Sequence, residues 1–124
     1  MHALIVDDSR AERETLASLL SALEHEVRLA TGSVEALEMM SEVRPGVVFC
    51  DVVMPGMNGL LFLRAASARF PSTPVVLMVA PDDVAATAAA YRSDAFDYLE
   101  KPVQASELAA CLGRIHSSFV KERR

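Results

Sequence analysis

The sequence predicts an α/β fold: a doubly wound (βα)5 domain whose five-stranded parallel sheet runs in the order 2-1-3-4-5. Three observations lead there. Short apolar runs alternate with segments of helical periodicity along the whole of the 124 residues. The connections between them are short, which in strand–helix repeats means parallel strands, right-handed crossovers and helices on both faces. The chain is also 52% hydrophobic, enough for a sheet covered on both sides.

Each element has its own signal. ALIV, just before Asp7, is a short buried strand. RAERETLASLLSALE then places Leu16, Leu19, Leu20 and Leu23 on one helical face. EVRLA is the second strand, and Gly32-Ser33 opens a helix carrying Leu37, Met40 and Val43. VVFCD is the third strand. Asn58-Gly59 opens a helix running to about Phe70, where Pro71 and Pro74 mark its end. PVVLMVA is the fourth strand, and Asp82 or Asp83 caps an Ala-rich helix through Tyr91. AFDYL is a fifth strand, less apolar, as an edge strand is. The last helix repeats Leu108, Cys111, Leu112, Ile115 and Phe119 along one buried stripe.

Composition narrows the class. Residues 1–124 read as one domain, either standing alone or forming the N-terminal part of a longer protein. No apolar stretch approaches the ~18 residues of a membrane span. MHALIVDD has no basic region, so it is not a signal peptide. Cys50 and Cys111 form no CxxC motif, which leaves disulfide and zinc readings without support and favours a cytoplasmic location. A net charge of -5 argues against direct nucleic-acid binding. His2, His25 and His116 read as scattered surface residues. Met39, Met40, Met54, Met57 and Met78 read as core fillers, and the terminal KERR either as favouring the helix C-terminus electrostatically or as beginning a linker.

One feature of the third strand needs a partner. VVFC is wholly apolar, yet it ends in Asp51, and a buried unpaired charge costs several kcal/mol. In open α/β sheets the ligand site lies outside the carboxyl ends of the strands, where strands 1 and 3 diverge. Asp7 and Asp8 end strand 1, Asp51 ends strand 3, and Lys101 follows strand 5. Three carboxylates facing one ammonium are underbalanced. A hard divalent cation corrects this, and an all-oxygen set with room for water favours Mg2+. The same acids would repel a nucleotide phosphate bound directly after strand 1. A carboxylate beside magnesium and a lysine is a competent phosphoryl acceptor, because the cations neutralise charge on the transferring group. Taken singly, these residues have plainer explanations: Asp7-Asp8 a helix cap, Asp51 a turn residue before Pro55, Lys101 a solvated strand-end lysine. Their arrival together at one sheet edge is what favours the site.

At these positions the chain resembles the receiver domain of bacterial two-component response regulators over its whole length. LIVDDS is similar to that family's acidic pair, DVVMPGMNG to its phosphorylation loop, and DYLEKP to its strand-5 Lys-Pro motif. The resemblance implies a flavodoxin-like fold with Asp51 as phosphoacceptor. It implies Mg2+ bound directly by Asp8, through water by Asp7, and also held by Asp51 and the Val53 backbone carbonyl. Lys101 would pair with the phosphoryl group, Tyr98 would be the switch aromatic, and Lys101-Pro102 would be a cis peptide. The implied partners are a sensor histidine kinase or phosphotransfer protein, and an output partner or second receiver at the face of helix 4, strand 5 and helix 5. Two departures stand out. Val79 occupies the position where the family usually has a phosphoryl-binding Thr or Ser, and neighbouring Ala80 supplies no hydroxyl either. Asp94 replaces a common glycine, where Asp tolerates left-handed backbone. Val79 keeps open an interaction module that works without phosphorylation. An Asp-nucleophile phosphohydrolase is the alternative from another class, but Val53 stands where such enzymes carry their second acid. Turnover of an external substrate is therefore not expected.

Overall fold

The computed structural model describes residues 1–54 and 58–122, with the side chains of 121 and 122 outside the description. Pro55, Gly56 and Met57 of the loop, and Arg123 and Arg124 of the terminal cluster, lie outside the described residues.

The order is β1 (His2–Val6), α1 (Arg10–Ala22), β2 (Glu26–Ala30), α2 (Ser33–Val43), β3 (Val47–Asp51), α3 (Gly59–Arg69), β4 (Val75–Val79), α4 (Val84–Tyr91), β5 (Asp97–Glu100) and α5 (Ala105–Glu122). All strands are parallel and pair in the order β2-β1-β3-β4-β5. Hydrophobicity tracks that order. The central strands β1, β3 and β4 are buried almost throughout, whereas the edge strand β2 buries only Ala30 and β5 only Leu99. Strands covered on both faces must be apolar at every position, and edge strands need not be.

Alternation along the strands builds two cores. Leu4, Val6, Val48, Cys50, Leu77 and Val79 pack towards α2, α3 and α4, around Met40, Phe62, Leu63, Ala66 and Ala90. Ala3, Ile5, Val47, Phe49, Val76 and Met78 pack towards α1 and α5, against Leu16, Leu20, Leu108, Cys111 and Ile115. Met39, Met40, Met54 and Met78 all sit in or against these cores.

Polar side chains start the helices. Ser9 accepts from the Glu12 N–H, Asn58 from Leu61 and Asp83 from Ala86, so Asp83 is the cap of α4. Three details differ from the sequence reading. Leu23 lies past the end of α1 and is exposed, because the helix stops there and Leu16 and Leu20 already fill the stripe. Asp94 is not left-handed: among the described non-glycine residues, positive φ falls at Glu24 and Arg44. The Ser93 hydroxyl bonds the Ala90 carbonyl and accepts from Ala95 N–H, closing that turn without a left-handed residue. His25 is half-buried, with its Nδ1 accepting from the Met1 ammonium.

Candidate functional site

Register brings the acidic strand ends together. Val6 pairs with Cys50, so Asp7 and Asp51, each one residue further, emerge side by side from adjacent central strands. The Asp7 N–H continues the ladder to the Ala30 carbonyl at 3.2 Å, and the Val52 N–H to Met78 at 3.2 Å. On the other side of β4, Lys101 N–H donates to the Val79 carbonyl at 2.8 Å and starts the loop that enters α5. The Lys101–Pro102 peptide is cis.

Carboxylate oxygens of Asp7, Asp8 and Asp51 lie within 4.8 Å of one another. Asp7 is buried, Asp8 exposed and Asp51 in between. Lys101 Nζ reaches Asp51 Oδ2 at 2.9 Å and Asp7 Oδ2 at 3.2 Å, so the acid that ends the apolar third strand is paired after all. Asp51 Oδ1 takes the Val53 N–H at 3.3 Å, and each of its oxygens keeps a lone pair for an electrophile or a cation. Val53 itself is exposed. Asp7 Oδ1 accepts from Ser9 N–H at 2.9 Å, and Arg13 donates to the Asp7 carbonyl.

Glycine is required where α3 begins. Gly59 N–H donates to the Val52 carbonyl at 2.7 Å, and a Cβ there would stand 2.8 Å from Val52 Cα and overlap the Asp51 carbonyl. The helix start thus rests directly on the backbone that carries Asp51.

The charges are unevenly matched. Burial drives the Asp7 pKa from its ordinary 3.8 to about 6; the Ser9 N–H and Lys101 oppose this, while the charge on Asp51 and the hydrogen bond with Glu12 add to it. For Lys101 burial pulls downwards, but hydrogen bonds to Glu12 and Asp51 and the charges of Asp51 and Asp7 outweigh it and hold the ammonium above its usual range. Burial followed by the charges of Asp51 and Asp7 pushes the Cys50 thiol well up, which leaves it a neutral core group. The resulting pocket is hard, oxygen-lined and net negative, with Asp8 open to water. This donor set fits a small divalent cation that retains water ligands.

Three expected positions stand apart from the ion cluster. Val79 is buried in the core and offers the site only its backbone. Ala80 is exposed, and its carbonyl accepts from Thr87 Oγ1 at 3.0 Å and from Asp83 N–H at 2.9 Å. Tyr98 is half-buried on β5; its hydroxyl donates to the Ser93 carbonyl at 3.1 Å and its ring tilts against Tyr91 at 4.8 Å. One site residue escaped the sequence reading: Glu12 Oε2 lies 2.5 Å from Lys101 Nζ. Ser9-x-x-Glu12 reads as a helix capping box, which assigns the Glu12 carboxylate elsewhere.

Known proteins resemble this chain in sequence and fold. Residues 3–112 match the sequence profile of the family described as response regulator receiver domain. The chain is similar to the response regulator MprA of Mycobacterium leprae, 40% identical over 110 residues, covering 89% of this chain and 48% of MprA. It is also similar to the DNA-binding transcriptional regulator NtrC of Escherichia coli K12, at 34% over 119 residues, 96% of this chain and 25% of NtrC. The chain thus spans about half or less of these relatives. Among solved structures, NtrX from Brucella abortus superimposes with a TM-score of 0.89 at 30% identity, over 98% of this chain and 28% of that one.

Proposed function

The chain belongs to the response regulator receiver domains of two-component signalling, and from that premise we propose that it accepts a phosphoryl group on Asp51 from a sensor histidine kinase or phosphotransfer protein. The observation that carries the reading is the meeting of Asp7, Asp8, Asp51 and Lys101 at one sheet edge.

In the proposed step an Asp51 carboxylate oxygen bonds to phosphorus as the donor's bond to phosphorus breaks, the electron pair leaving with the donor. Lys101 neutralises one phosphoryl oxygen, and the Val53 N–H orients the attacking carboxylate. Asp7, Asp8 and Asp51, with the Val53 carbonyl, would hold Mg2+, which when bound supplies charge stabilisation for the transferring group. Val53 cannot act as general acid or base, so we read the protein as assisting its own phosphorylation without turning over an external substrate. The readout surface we assign is α4–β5–α5, where a partner or second receiver would dock. Val84 and Tyr91 are exposed there, and Arg114 Nε bonds Asp97 Oδ2 at 2.7 Å between α5 and β5. Nucleic acid would be handled by other parts of such regulators. No helix among the described residues is long and apolar enough to cross a membrane.

Val79 favours a qualified version of this reading. With a valine at that position and Ala80 beside it, neither supplies a hydroxyl to the phosphoryl group, so phosphorylation would proceed while the switch responds weakly. At the limit the domain works as an interaction module largely indifferent to phosphate.

The test is incubation with a small acyl phosphate and magnesium followed by intact mass. One phosphoryl addition is expected, absent in Asp51→Asn. An unchanged addition in the variant places the acceptor elsewhere and rejects the assignment.

A further inference from the structure

We infer that Glu12 is a positioning residue that holds Lys101 in the resting state and is displaced from it by the incoming phosphoryl group. This rests on the phosphoryl-accepting reading above. A lysine ammonium has three N–H donors. Here two are directed at carboxylates, Asp7 Oδ2 at 3.2 Å and Glu12 Oε2 at 2.5 Å, and Asp51 Oδ2 lies 2.9 Å away as an ion pair. A phosphoryl oxygen arriving at Asp51 competes with these carboxylates for the ammonium.

The surroundings decide which of them yields. The Asp7 side chain is 1% exposed and is pinned by the Ser9 N–H. Asp51 is the acceptor itself. The Glu12 side chain is 45% exposed, in the first turn of α1, and with Lys101, Thr15 and Pro102 it borders an open cavity of about 390 Å³ into which it can swing. Glu12 is the partner free to leave.

Local structure explains why Glu12 is there at all. In a capping box the N3 glutamate returns to the N-cap N–H. The forward half is present, with Ser9 Oγ accepting from Glu12 N–H at 3.3 Å. The return half is not, because Ser9 N–H donates to Asp7 Oδ1 at 2.9 Å. That substitution frees the Glu12 carboxylate for Lys101.

Two effects of Glu12 oppose each other: it orients Lys101, and it competes for it. Asp7 and Asp51 continue to orient the ammonium without Glu12, so the competition dominates. Glu12 thus lowers the occupancy of Lys101 by phosphate and repels an anionic donor.

The experiment titrates the magnesium-loaded protein with beryllofluoride, a phosphoryl mimic, by NMR. Glutamine keeps the shape of Glu12 and its compatibility with the cap. Glu12→Gln is expected to bind the mimic about 10-fold more tightly, equivalent to about 1.4 kcal/mol. Glu14→Gln, which removes the same charge from the same helix at the exposed Arg10 pair, stays within about two-fold of the unmodified protein. The Lys101 ammonium signal shifts in the resting Glu12→Gln protein, and the mimic-bound spectra of the two proteins agree at that group. Equal or weaker binding by Glu12→Gln, or an equal gain in Glu14→Gln, overturns the inference while leaving the acceptor reading intact. Absence of mimic binding in both the unmodified protein and Glu12→Gln overturns the acceptor reading and this inference with it.

Discussion

Asp7 shows how a single side chain trades stability for a site. It is buried, and burial outweighs its hydrogen bond and its lysine, leaving its pKa near 6. A folded-state pKa above the ordinary 3.8 means that the native protein binds the extra proton between roughly pH 4 and 6. The associated stability is present below that window and is lost as pH rises through about 6. At pH 7 the metal-free fold therefore carries a disfavoured carboxylate. Asp7→Asn should raise metal-free stability at pH 7 by about 1–3 kcal/mol, with the advantage shrinking towards pH 4. Saturating magnesium should reverse the ranking, since it binds more tightly to the protein that keeps all three carboxylates. Urea midpoints across pH, with and without magnesium, check this; an advantage independent of pH would contradict it.

The junction of β3 and α3 ties an element boundary to the acceptor. Asn58 caps α3, and Gly59 lets the helix rest against the Asp51 and Val52 backbone. Gly59→Ala forces a shift there, and overpacking of this kind costs about 1–3 kcal/mol. The shift falls on Asp51, so phosphorylation by an acyl phosphate should slow even at temperatures where the variant is folded. Gly113 gives the contrast. It is exposed within α5, and a Cβ added there would meet nothing within 4 Å, so Gly113→Ala should stabilise by up to about 1 kcal/mol and leave phosphorylation unchanged. Thermal denaturation and intact-mass time courses on both variants separate the two; similar behaviour would mean that α3 does not support the site.

Across the whole molecule the question is how far a phosphoryl group on Asp51 shifts the output face. A ligand moves a two-state equilibrium only by its differential affinity for the two states. A hydrogen bond to a charged group contributes roughly 1.5–3 kcal/mol. Without that donor at position 79, the shift should be weaker by very roughly 10- to 100-fold. Val79 nearly matches threonine in shape and its neighbours already pack around it, so Val79→Thr should preserve the core and strengthen the response at Tyr98. NMR spectra with and without beryllofluoride test this. Full rearrangement at Tyr98 in the unmodified protein, with no gain in Val79→Thr, would show that the hydroxyl is dispensable here.

How much was legible beforehand follows from how far each signal reaches along the chain. Strand and helix identity, strand order and the convergence of Asp7, Asp8, Asp51 and Lys101 are carried by periodicity, short connections and strand-end position, all of them local or topological. The apolar VVFC run before Asp51 already demanded a partner, because burial without one is costly. The Glu12–Lys101 contact joins residues 89 apart, and the local pattern pointed the glutamate at its own helix cap. The Asp94 turn is likewise closed by Ser93, whose hydroxyl donates to the Ala90 carbonyl and accepts from the Ala95 N–H. Sequence by itself determined which strand ends meet, since chain connectivity and parallel pairing leave few alternatives. Only the tertiary structure decided how the charges there are shared, because one ammonium can choose among several carboxylates and distance makes that choice.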